Sequence, residues 1–164
     1  KMVELASEYN EVSVTGHELW LAEKENAGVI LKVEIPASPE VTDVTNAANA
    51  LLNTEGISAI FCSNEGTVSG LLAATSSGAD LEEGAAFGDL IVAGFDAGSL
   101  QKNAVRNGWF IGSVTQDPYQ IGYLSVELAV KAANGETVED VDTGAQWYTA
   151  ENIDDPEIAM LVYD

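Results

Sequence analysis

Residues 89–98 read DLIVAGFDAG, an apolar run from Leu90 to Phe95 that stops at a single acid, Asp96, between Gly94 and Gly98. An unbroken apolar run of this length between turn residues is the signature of a buried strand. Similar runs stand at 30–35 (ILKVEI), 59–63 (AIFCS) and 110–115 (FIGSVT), with a shorter one at 11–14 (EVSV).

Helical periodicity fills the stretches between them. In SPEVTDVTNAANALLN, Ser38 can cap, Pro39 suits the first helical position, and Val41, Val44, Ala48, Leu51 and Leu52 recur at helical spacing. NEGTVSGLLAATSSGA is a weaker amphipathic pattern whose small residues permit close packing on a sheet. SLQKNAVRNG predicts a short helix from Ser99 to about Asn107, ended by Gly108. DPYQIGYLSVELAVKAANGE predicts a longer one, opened by Asp117 and Pro118 and closed near Asn134 and Gly135. Strand alternating with helix predicts an α/β fold: an open, mainly parallel sheet with right-handed crossovers and helices on both faces.

With 164 residues the chain has material for one ordinary domain. Twenty-seven acids against six bases give a formal charge of −21, and Arg106 is the only arginine. Such a chain cannot neutralise phosphates, which excludes nucleic acid as a partner, and an anionic membrane would repel it. The acids are dispersed, as in Glu82-Glu83, Glu139-Asp140 and Asp154-Asp155, which describes a solvated surface. Cys62 is the only cysteine, so there is no internal disulfide and no multi-cysteine metal site, and inside AIFCS it reads as a buried structural thiol. No run approaches a membrane span and no signal peptide opens the chain. The first residue is Lys1 rather than methionine, as expected of a processed protein or a fragment.

In open α/β sheets ligands bind beyond the carboxyl ends of the strands. AIFCS is followed by Asn64 and Glu65, LIVAGF by Asp96, and FIGSVT by Gln116 and Asp117. An ionised Asp96 accepts hydrogen bonds, while Asn64 and Gln116 both donate and accept, which suits a ligand carrying a ring of hydroxyls. Each of these residue types is also an ordinary helix cap or turn former. The catalytic signatures G-x-S-x-G, H-E-x-x-H, Walker A and G-x-G-x-x-G after a strand are missing, and no metal or cofactor is expected. Paired carboxylates such as Glu65 and Asp96 could serve a glycosidase, a subordinate reading.

AIFCSNEGTVSGLLAA, IVAGFDAG, NGWFIGSVTQDPYQIGYLSVELA and NGETVEDVDTGAQWYTAENID together resemble the sugar-binding proteins of bacterial ABC importers, the ribose and galactose type of periplasmic binding protein. The similarity runs from Ile30 onward and is to the second of two lobes that close on a sugar. It implies a solute-binding protein that takes a monosaccharide or similar polyol and passes it to an ABC permease, outside the cytoplasm, in a periplasm or as a membrane-anchored lipoprotein. It implies no enzyme. Residues 1–116 would form the ligand-binding lobe, 117–144 a helical segment that crosses the hinge to the other lobe, and 145–164 the return. Asn64, Asp96 and Gln116 fall on positions that hydrogen-bond sugar hydroxyls in that family; Glu65, His17 and Trp20 are further candidates. The family's arginine in the segment before ENAGVILKVEI has no counterpart in TGHELWLAEKEN. The helix running from Pro118 to Asn134 would need a cover, either the missing first lobe or a homodimer partner. The effector-binding core of a LacI-type transcription regulator shares the fold and is the alternative.

Overall fold

The computed structural model describes residues 2–5 and 31–163. Its strands are β1 (Met2–Leu5), β2 (Leu31–Glu34), β3 (Ala59–Cys62), β4 (Ile91–Phe95), β5 (Gly112–Gln116) and β6 (Ala145–Tyr148). Its helices are α1 (Val41–Leu52), α2 (Glu65–Ala74), α3 (Ser99–Arg106), α4 (Pro118–Ala133) and the single turn α5 (Pro156–Ala159), with a 3-10 segment at Ser76–Leu81. The strands form one sheet in the order β2-β1-β3-β4-β5-β6, parallel throughout except for the antiparallel pair β5/β6. The predicted open, mainly parallel sheet is thus what forms.

Side chains alternate across the sheet, as strand geometry requires. Ile60 and Cys62 of β3, Val92 of β4, and Ser113 and Thr115 of β5 are buried, whereas Phe61, Ala93, Phe95 and Val114 on the opposite face are half-buried. Over the buried face lie α1, contributing Val44, Ala48 and Leu51, α2 with Val68 and Leu71, and α3 with Ala104 and Val105. Cys62 sits in this core, where burial raises its thiol pKa and keeps it protonated, as expected of a structural cysteine.

Several local expectations need correction. The N-cap of α1 is Glu40 and the helix starts at Val41, so Pro39 stands before the first turn. Ser38 does not cap; it donates to Asp43 Oδ2 at 2.6 Å, tying itself to a first-turn carboxylate instead. Of the small residues of α2, Gly70 serves the approach of α1: an added Cβ there would stand 2.8 Å from Val44 Cβ. β1 was not among the strand candidates, and EVSV (11–14), His17 and Trp20 lie outside the described residues. The ends of α3 and α4 fall where expected, at Arg106 and Ala133, with Gly108 and Gly135 just beyond.

No residue of α4 is buried. Its apolar residues occupy two opposite faces: Ile121, Leu124 and Leu128 are half-buried, whereas Tyr119, Tyr123, Val126 and Val130 are 77%, 63%, 67% and 55% exposed. The fully open stripe is therefore the one formed by Tyr119, Tyr123, Val126 and Val130.

Candidate ligand-binding site

The connections β1 to β2 and β2 to β3 run in opposite directions along the sheet, so its order reverses beside β3. The carboxyl edge next to such a reversal is where open α/β sheets take ligands. The adjacent parallel strands β3, β4 and β5 end there and deliver Asn64, Asp96 and Gln116, which the structure brings to one rim. Gln116 is exposed; Asn64, Glu65 and Asp96 are half-buried.

Asp96 has the left-handed conformation, with φ 81°, which side chains other than glycine seldom adopt. Its N–H donates to Val114 O at 2.7 Å. Its carbonyl accepts from Tyr148 Oη at 2.9 Å and Ser113 Oγ at 3.0 Å. The carboxylate lies at the start of α2: Oδ2 accepts from the Glu65 amide at 3.0 Å, and Oδ1 from Gln116 Nε2 at 3.3 Å. Placing an acid against the first free N–H of a helix satisfies that donor and sets the negative charge at the favourable end of the helix dipole. A carboxylate has about four lone-pair sites, so two remain for a ligand's hydroxyls.

Asn64 is the N-cap of α2. Its Oδ1 accepts from Thr67 N at 2.9 Å and its own N–H donates to Thr67 Oγ1 at 3.1 Å, a reciprocal capping box. With the oxygen so engaged, the group it can turn to a ligand is its amide NH2. Asp117 is a cap, as the sequence suggests, accepting from Gln120 N at 2.9 Å. The Glu65 carboxylate lies over Gly98, in the space an added side chain would need. The room left by that glycine is thus filled by the protein's own acid rather than by a ligand.

The sequence reading missed Gln101, Ser113, Tyr148 and Tyr163. Ser113 and Gln101 are polar residues at apolar positions of a strand and a helix, a visible signal; Tyr148 and Tyr163 come from the chain's return, where only the tertiary fold brings them near Asp96. The C-terminal segment is tied down by Thr115 Oγ1 donating to Leu161 O at 2.9 Å and by Tyr163 N donating to Ala97 O at 3.4 Å. Burial first, then the Asp96 charge, raises the Tyr163 hydroxyl pKa, with Glu65 adding to it and a bond to the Ala97 backbone opposing. Tyr163, 39% exposed, therefore stands in the field of both carboxylates. Burial pushes Tyr148 up to about 12, against the lowering effect of the neighbouring Ser113 hydroxyl. Among the described residues no group of His, Cys, Asp and Glu could hold a metal ion, and no helix is long and apolar enough to cross a membrane.

Residues 13–137 match the family model described as periplasmic binding protein domain. Comparison with curated proteins gave no match. Similar solved structures include one titled ABC transporter, LacI family transcriptional regulator, from Brachyspira murdochii, 38% identical, with TM-score 0.82 over 99% of this chain and 56% of that one. A carbohydrate transporter solute-binding protein from Agrobacterium radiobacter in complex with D-arabinose is 26% identical, with TM-score 0.80 over 99% and 55%. A solute-binding protein of an ABC transporter from Bacillus halodurans with bound myo-inositol is 27% identical, with TM-score 0.73 over 97% and 54%. The chain spans about half the length of these neighbours.

Proposed function

The chain belongs to the periplasmic binding protein domain family, and from that premise we propose that it is one lobe of an extracytoplasmic solute-binding protein that captures a monosaccharide or cyclic polyol for an ABC permease. The observation that carries this reading is the Asp96 carboxylate, presented at the rim between the Glu65 amide and Gln116 Nε2 with acceptor capacity to spare. Asn64 NH2 and Gln116 supply donors beside it, and Tyr163 an aromatic wall. Bound D-arabinose and myo-inositol in two similar proteins support a ring of hydroxyls as the ligand chemistry. No bond is broken; selectivity comes from pairing each buried polar group, since one left unpaired costs about 1–3 kcal/mol.

In this reading residues 117–144 cross to a second lobe, whose surface covers the open stripe of α4, and β6 brings the chain back to the sheet. The ligand is enclosed when the lobes close, so the lobe alone binds weakly. The test is calorimetry of monosaccharides and inositols with the full-length protein. Asp96→Ala should weaken binding more than tenfold, because a charged acceptor contributes about 1.5–3 kcal/mol. An unchanged affinity would reduce Asp96 to a cap of α2.

The similar structure titled as a LacI family regulator favours a second reading, an effector-binding core. A DNA-binding headpiece encoded upstream would select it, and an export signal would select transport. In either case the charge of −21 keeps this part of the chain off DNA.

A further inference from the structure

Behind the rim, Gln101, Ser113 and Tyr148 are each fully buried, and their polar atoms converge on the backbone around Asp96. We propose that Tyr148, backed by Ser113 and Gln101, is a positioning residue that locks Asp96 in its left-handed conformation and thereby aims the carboxylate. The inference rests on the reading of Asp96 as the ligand's acceptor.

The donors form a directed chain. Ser113 has one hydroxyl proton and gives it to Asp96 O, so its oxygen is free to accept from Gln101 Nε2, with which it makes a short contact. The same Gln101 nitrogen donates to Phe95 O at 2.9 Å, fixing the carbonyl just before Asp96. Tyr148 Oη supplies the second donor to Asp96 O. The peptide groups on both sides of Asp96 are thus clamped, and with them the direction in which its side chain leaves the backbone.

Without the clamp, an aspartate relaxes toward ordinary negative φ, which swings the carboxylate off the Glu65 amide. Gln101 Oε1 is buried with no hydrogen-bond partner, a penalty that an apolar residue of the same size would not carry. Retaining the amide is understandable if its donors are required. Tyr148 arrives from β6, 52 positions beyond Asp96, so the return strand completes the ligand site as well as the sheet.

The test uses the full-length protein and needs no ligand for its main readout. In Tyr148→Phe, amide hydrogen exchange at Glu65 should quicken by about five- to tenfold, the loss of one hydrogen bond's worth of order, while exchange at Leu51 in the core of α1 stays as it was. Ser113→Ala should act in the same direction and serves if Tyr148→Phe folds poorly. In an Asp96→Ala background, where the Glu65 amide has already lost its acceptor, Tyr148→Phe should leave Glu65 exchange unchanged. Monosaccharide affinity of Tyr148→Phe should fall by a similar factor.

Unchanged exchange at Glu65, equal quickening at Leu51, or the same effect in the Asp96→Ala background would each overturn the positioning role. If the unmodified protein binds no monosaccharide or inositol, the proposed function fails, and the exchange measurements still decide whether Tyr148 sets Asp96.

Discussion

At the scale of single residues, Asn64 serves two purposes that substitution can separate. Its oxygen caps α2, which leaves its NH2 as the group available to a ligand. Asn64→Asp retains a capping oxygen, so thermal stability should change little, whereas Asn64→Ala loses about 1 kcal/mol. Both should weaken sugar binding, and Asn64→Asp more, because it sets a third carboxylate beside Asp96 and Glu65. Calorimetry paired with melting curves checks both halves. Tyr148 predicts a pH dependence. Its hydroxyl titrates near 10.0 when unfolded and at about 12 in the fold, so the folded state holds the proton more tightly. The resulting stability is complete below about pH 10 and is lost as pH rises to about 12, at most about 2–3 kcal/mol. Urea titrations across that window should show the fall, and Tyr148→Phe should flatten it.

At the scale of elements, the approach of α1 to α2 is set by Gly70 against Val44. Gly70→Ala should gain about 1 kcal/mol of helix propensity and lose about 1–3 kcal/mol to overpacking, because part of the obstruction is the Val44 backbone and cannot rotate away. We expect net destabilisation in urea titrations, with a partial return in Val44→Ala/Gly70→Ala. The same region shows what a sequence exposes of its fold. LIVAGF and AIFCS announce β4 and β3 because a buried strand needs an apolar run, and the Asp117-Pro118 opening of α4 is a local cap that became a local structure. Asn64, Asp96 and Gln116 were legible as a rim because each follows such a strand. β6 was not: AQWY is a short stretch, mostly exposed, whose pairing with β5 is decided in three dimensions. Nor was the start of α1 at Val41, since Ser38 found a side-chain partner in Asp43 that competed with capping. Tyr148 stayed hidden because its partner is a backbone carbonyl 52 positions away, which leaves no trace in residue type.

At the scale of the whole molecule, two forces oppose each other. Tyr119, Tyr123, Val126 and Val130 form an open apolar stripe on α4, which favours association, while a charge of −21 repels every other copy. At low ionic strength repulsion acts over about 30 Å; at physiological salt it is confined to about 8 Å. The 164-residue chain should therefore be monomeric in dilute buffer and associate as salt is raised, and Val126→Glu/Val130→Glu should abolish this. A full-length protein whose second lobe covers the stripe should stay monomeric at both salt levels by light scattering. The bond from Tyr148 to the Asp96 carbonyl also has a consequence in time. During synthesis, β4 and its acid leave the ribosome long before the strand that clamps them, so a nascent chain complete through α4 carries every rim residue from Asn64 to Gln116 but not the donor that aims Asp96. If Asp96 is the ligand's acceptor, its aim is set only once β6 is in place, so a nascent chain that lacks β6 should bind more weakly than the finished one.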